Sequence, residues 1–178
     1  IPVYTHEDEN GNKTTVDVIS GKLGDIDSDS PAPDSWAANP YNDVAVWTIQ
    51  MAPNAEWTIP AASASSNRSL YYYEGSSVEV EGQSAAAGHQ IMLNAGEPTT
   101  IINGSEPSRI LMLQGKPLQE PVAKYGPFVM NTNQEIQEAV QDYQRTQFGG
   151  WPWPTHEHTH DKTRGRFALH ADGRLEEK

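Results

Sequence analysis

Seven short runs of apolar and β-branched residues, each stopped by a Gly, Pro, Asn or Ser cluster, dominate the middle of this chain. They are Thr14–Ser20, Ala45–Met51, Leu70–Tyr73, Ser77–Glu81, Gln90–Leu93, Thr99–Asn103 and Ser108–Leu113. Each is too short for a core helix and fits the length of a strand. Turn signals recurring roughly every 8–12 residues are the pattern of a sandwich or barrel. No amphipathic helix alternates with the runs, which argues against a parallel α/β sheet. Within the tyrosine run, Tyr71 and Tyr73 share one face of a strand and Tyr72 takes the other.

One helix is expected, over residues 132–148. Thr132 and Glu135 have capping-box spacing, in which each side chain satisfies an orphan backbone N–H. Ile136, Ala139, Val140 and Tyr143 then form one apolar stripe, and Gly149-Gly150 provides a stop. Beyond it, residues 149–178 are rich in Trp, Pro and His and read as irregular. Trp151 and Trp153 are costly to leave in water, so the tail is expected to pack on the body.

The chain has 178 residues, enough for one core without staples. It has no cysteine, so disulfides, thiolate metal sites and a cysteine nucleophile are excluded. Its net charge of −12 argues against direct nucleic-acid binding, which relies on displacing counterions from phosphates. Acids concentrate at the start: residues 1–34 carry eight against two lysines. No apolar run is long enough to span a bilayer, and no secretory signal pattern is present. A cytoplasmic protein without membrane contact is the expectation. The chain begins Ile1-Pro2, not Met, and reads as a fragment of something longer.

Candidate chemistry is sparse. Asp25, Asp27 and Asp29 have the opening spacing of a calcium loop, but its required Gly and Glu positions hold Ser30 and Trp36. A solvated acidic loop is expected. His156, His158 and His160 alternate and would point to one side of an extended segment, where they form the one alternative metal site. A single tract supplies no second layer of orienting groups, so adventitious binding is the simpler expectation. Asn67-Arg68-Ser69 and Asn103-Gly104-Ser105 match the glycosylation tripeptide. There is no nucleophile elbow, phosphate loop or dinucleotide fingerprint.

Leu70–Gly75 followed by Val78–Gly82 resembles the central hairpin of a cupin. Cupins are small jelly-roll barrels with two motifs whose three histidines and one glutamate hold a metal. The second motif lies on this chain in register, with Gly88, Gly96 and Asn103 at its glycine and asparagine positions. Its proline position is Asn94 and its histidine position Thr99. With Gly75 closing the first motif, the glutamate position is Arg68, and the histidine positions, Ala62 and Ala64, fall within Ala61–Ala64. Alanine has no donor, Arg68 is a permanent cation, and Thr99 is a poor substitute for imidazole. The resemblance therefore implies a barrel that keeps its scaffold and has lost its metal site.

A closer resemblance follows. Gly115–Pro121 (GKPLQEP), Tyr125–Thr132 (YGPFVMNT), Phe148–Pro154 and Gly165–Arg174 are similar to the C-terminal domain of the pirin family, bacterial type. That resemblance implies two cupin domains in tandem, the N-terminal one carrying iron or another divalent metal. No metal-binding string of that kind occurs here, so the chain resembles the C-terminal half alone. Quercetin dioxygenase chemistry and redox-sensitive regulation, the activities known in the family, would belong to the other half, expected before Ile1.

The overall expectation is an all-β cupin (RmlC-like) jelly-roll β-barrel over residues 1–131, a C-terminal helix packed on it, and the tail. Phe128 and Met130 are expected as core or interface anchors beside the capped helix. Trp47, Trp57 and Met92 are candidates to plug the interior. No catalytic residue, cofactor or metal is expected in this chain. Its expected partners are the N-terminal cupin domain of the same protein and a possible further protein. Two alternatives stand beside this one: part of a quercetin 2,3-dioxygenase-like oxidoreductase, and a small-molecule-binding barrel.

Overall fold

The structure is a computed structural model that describes residues 1–157 and 159–177. In chain order its strands are β1 (Val3–Glu7), β2 (Lys13–Ser20), β3 (Lys22–Leu23), β4 (Ile26–Asp27), β5 (Ala45–Met51), β6 (Glu56–Ile59), β7 (Asn67–Glu74) and β8 (Val78–Val80). There follow β9 (Gln83–Ala85), β10 (His89–Asn94), β11 (Thr99–Asn103), β12 (Ser108–Gly115), β13 (Ala123–Tyr125) and β14 (Phe128–Met130). Helix α1 (Asn133–Thr146) precedes the last pair, β15 (Phe167–Leu169) and β16 (Leu175–Glu177). The chain divides into two compact units, Ile1–Leu118 and a second beginning at Gln119.

The first unit holds two main sheets, ordered β1-β2-β5-β12-β7-β10 and β6-β11-β8-β9. They form the expected all-β arrangement of jelly-roll type, as two open sheets, not a closed barrel. Period-2 alternation decides which side chains enter the core. In β2 these are Thr14, Val16 and Val18; in β5, Ala45, Trp47, Ile49 and Met51. Antiparallel register lines them up across the large sheet. One row runs Val16–Ile49–Ile110–Tyr72 and the next Val18–Trp47–Met112–Leu70–Ile91. Trp57, Ile59, Val78, Val80 and Ile101 from the small sheet join the same cluster.

Trp47 and Trp57 thus fill the interior as expected, but Met92 does not. It lies on the outer face of β10, 80 % exposed, because Ile91 and Leu93 hold the inward positions. Tyr72 is buried while Tyr71 and Tyr73 are exposed, as alternation demands.

In the second unit, β13 and β14 pair as a hairpin and α1 packs against both. Thr132 Oγ1 accepts from the Glu135 N–H at 3.2 Å, and Glu135 Oε2 accepts from the Thr132 N–H at 2.8 Å. The helix stops at Thr146, earlier than the glycine pair suggests. Gln147 takes the left-handed cap conformation (φ 53°) and its N–H donates to the Tyr143 carbonyl. Phe128, Tyr143 and Phe148 form an aromatic cluster with centroids 5.3–6.3 Å apart. Met130 is 37 % exposed.

The tail is less irregular than its composition suggests, because β15 and β16 form a hairpin around Asp172-Gly173. The Trp151 and Trp153 rings lie 4.7 Å apart, and Trp153 Nε1 donates to the Leu169 carbonyl at 3.1 Å. Among the described residues, no helix is long and apolar enough to cross a membrane.

Candidate functional site

The row beyond the two apolar rows turns polar. Along β7, Arg68 falls in phase with the buried Leu70 and Tyr72, so alternation drives a guanidinium into the interior. Register sets Gln114 opposite it on β12 and Leu93 on β10. Arg68 is 2 % exposed, and a charge that far from water needs partners. Its Nε donates to Gln114 Oε1 at 2.7 Å and its Nη1 to the Pro60 carbonyl at 3.0 Å.

Asp43 completes the cluster. It sits in a left-handed turn (φ 55°) at the end of a short 3₁₀ turn over Pro40–Asn42. That turn is tied down by Asn42, whose Nδ2 donates to the Trp36 carbonyl at 2.8 Å and whose carbonyl accepts from the Lys116 N–H. Asp43 Oδ2 accepts from Ser66 Oγ at 2.6 Å and from the Ser63 N–H at 3.1 Å, and its carbonyl accepts from Gln114 Nε2. Burial pushes the Arg68 pKa down, and the nearby Asp43 carboxylate opposes that shift by favouring the charged form.

The remaining motif positions gather at this end. Thr99, buried at the start of β11, pairs with Ile59, the residue before Pro60. The Ala62 N–H donates to the Ala95 carbonyl at 2.7 Å. Gly96 lies so close to Ala64 that a side-chain carbon there would meet the Ala64 Cβ at 2.9 Å. Asn94, at the motif's proline position, accepts from the Gly96 N–H through its side chain. The two alanines, the arginine and the threonine thus meet at one end of the sandwich, although they come from one loop and two strands.

Gly75 and Asn103 lie at the opposite end of the sandwich, since Gly75 follows β7 and Asn103 ends β11, whereas Arg68 and Thr99 stand at the starts of those strands. Gly88 leads into β10, its N–H bonded to the Tyr72 carbonyl. Gly75 has φ 131°, and a Cβ there would stand 2.5 Å from the Tyr72 hydroxyl and 2.8 Å from Ser108 Cβ, so only glycine fits. Asn103 is 4 % exposed and its Nδ2 reaches the carbonyls of Met51, Ala52 and Glu106, tying the β5–β6 turn to the β11–β12 turn. That amide is used up internally and cannot carry a glycan.

These residues do not fit a divalent metal. The alanines offer no lone pair, the arginine repels a cation, and one hydroxyl remains. Among the described residues, no group of three or more His, Asp or Glu side chains could hold an ion. Of the histidine tract, His156 stacks on Trp151 and His160 packs edge-on to Phe167. His158 lies outside the described residues.

Sequence reasoning singled out Arg68 as a lost ligand but not Asp43, Gln114 or Pro60 as its partners. The signal for a buried network was an arginine in phase with Leu70 and Tyr72. The partners themselves carry no local signal.

The family model for the pirin C-terminal cupin domain matches residues 46–149, more than half of the chain. The chain belongs to the pirin family. A tomato (Solanum lycopersicum) pirin-like protein is 42% identical over 81 residues, which cover 44% of this chain and 28% of the relative. A Vibrio cholerae protein provisionally named a quercetin 2,3-dioxygenase is 46% identical over 82 residues, again 46% of this chain and 28% of the relative. A crystal structure of quercetin 2,3-dioxygenase from Acinetobacter baumannii superposes with a TM-score of 0.68 at 28% identity, covering 84% of this chain and 48% of that one. The match to these relatives therefore spans half of their length or less.

Proposed function

We propose that this pirin domain is a non-catalytic, metal-free cupin that supports or regulates a metal-bearing cupin domain in the same polypeptide. The observation that carries the reading is Arg68. It places a hydrogen-bonded cation where the cupin pattern has a metal-binding glutamate, with alanines at the histidine positions. Iron or another divalent metal, and any redox chemistry, belong in this reading to the other domain. The cell compartment that fits is the cytoplasm, and the first partner is that other domain.

The test is elemental analysis of the purified chain together with an assay of quercetin turnover. The expected result is no stoichiometric metal and no turnover. Stoichiometric iron, nickel or zinc that disappears when His156, His158 and His160 are replaced by alanine would overturn the reading.

A second reading, in which this chain contributes to a quercetin 2,3-dioxygenase-like oxidoreductase, draws on the Acinetobacter match. The same assay separates the two. Turnover by this chain without another domain would favour the second and end the first.

A further inference from the structure

The large sheet ends at β10 and the small one at β9, and residues of both strands line one mouth. Its volume is about 680 Å³. Its apolar lining comes from Val80 and Ala85 on one side and Ile91 and Leu93 on the other, all packed on the core. Glu81 and Glu97 stand in the same lining, which contains no Lys or Arg.

An edge strand exposes a row of unpaired N–H and C=O groups, and proteins usually blunt it with Lys, Pro, a bulge or a cover. β10 has none of these. Its six residues, His89–Asn94, include no Lys or Pro. Its register with β7 is unbroken, and among the described residues no strand pairs with its other side. Met92 projects outward from it, 80 % exposed.

We propose that the mouth between β9 and β10 is a docking surface for an extended segment of a partner protein that alternates apolar and basic side chains. The segment adds a strand to β10, and main-chain hydrogen bonds supply affinity while alternate side chains supply specificity. Its apolar side chains descend onto Ile91, Leu93 and Val80. Its basic side chains reach Glu81 and Glu97, whose charge is uncompensated within the mouth and is reinforced by the net −12 of the chain. That same charge disfavours a second copy as the occupant. The proposal does not depend on the metal-free reading, because of the motif residues only Asn94 and Thr99 line the mouth, and neither is used in it.

The experiment measures hydrogen exchange of the β10 amides in the intact chain. The probe is an acetylated, amidated heptapeptide of alternating lysine and valine, and its glutamate–valine counterpart is the control. The expected result is at least about tenfold slower exchange of the outward β10 amides with the lysine peptide only. Glu81→Gln with Glu97→Gln should weaken binding about five- to tenfold and flatten its salt dependence. Met92→Lys, at an exposed position that tolerates substitution, should weaken it through like charge. Unchanged exchange with the lysine peptide, or equal protection by the acidic one, would overturn the proposal. So would protection that grows with protein concentration without peptide, which would make a second copy the occupant.

Discussion

The Arg68 cluster on β7 and the open edge of its neighbour β10 treat the interior in opposite ways. At the Arg68 end the space is closed by Arg68, Gln114 and Asp43, each bonded to protein. Along the β9–β10 edge the apolar interior opens to solvent, with a strand edge unpaired and two carboxylates in a lining that holds no Lys or Arg. The Arg68 cluster is satisfied from within, and the β10 edge is where the proposed segment would dock. A buried cation must be satisfied from within, whereas an edge can wait for a partner.

The largest test of that contrast is Arg68→Leu. It leaves Gln114 Oε1 and the Pro60 carbonyl without a donor and the Asp43 charge without its counterpart, and should cost about 3–5 kcal/mol in urea unfolding. A loss below about 1 kcal/mol would mean that the cluster does not hold that end together. Asn103→Ala strips donors from three carbonyls and should cost about 1–3 kcal/mol by the same measurement. Gly96→Ala forces Ala64 aside and should cost about 1–3 kcal/mol, the range for overpacking. On the edge, Met92→Lys and Glu97→Gln should change stability by no more than about 0.5 kcal/mol, since both are exposed. A large loss there would show the edge to be structural as well.

A smaller, pH-dependent effect is expected at the β1–β2 turn. Desolvation raises the pKa of Asp8, but N–H donors from Asn12, Glu56 and Asn10 and the Asn12 amide outweigh it, and the net shift is downward. Folded Asp8 therefore binds its proton less readily than the unfolded chain does. Its contribution is present above the unfolded pKa near 4 and is lost as pH falls through the folded value. Asp8→Asn should flatten the acid limb of the stability curve below about pH 4, followed by thermal melts.

The strands that sequence patterning reveals are those with β-branched runs. Ala45–Met51 and Thr99–Asn103 match β5 and β11 residue for residue. β1, β6 and β9 were not legible, because VYTHE, EWTI and QSA are short and carry polar residues that only pairing with β2, β11 and β8 explains. The hairpin of β15 and β16 is hidden in the same way within a tail of mixed composition. The capping box of α1 was legible because both partners lie within one turn. Its end was not, because a left-handed Gln147 has no composition signal.

By itself the sequence determined the β class, the capped helix and the family strings, since each rests on neighbours a few residues apart. It also determined that Ala62, Ala64 and Arg68 bring no metal donor to the positions the cupin resemblance assigns them, because alanine and arginine lack one wherever they fold. Only the tertiary structure decided what takes their place. Arg68 meets Gln114 across 46 positions and Gln114 meets Asp43 across 71, and no local pattern encodes such a meeting. The open edge was decided there too, because which strand ends a sheet is a property of the order of strands and not of the residues within any one of them.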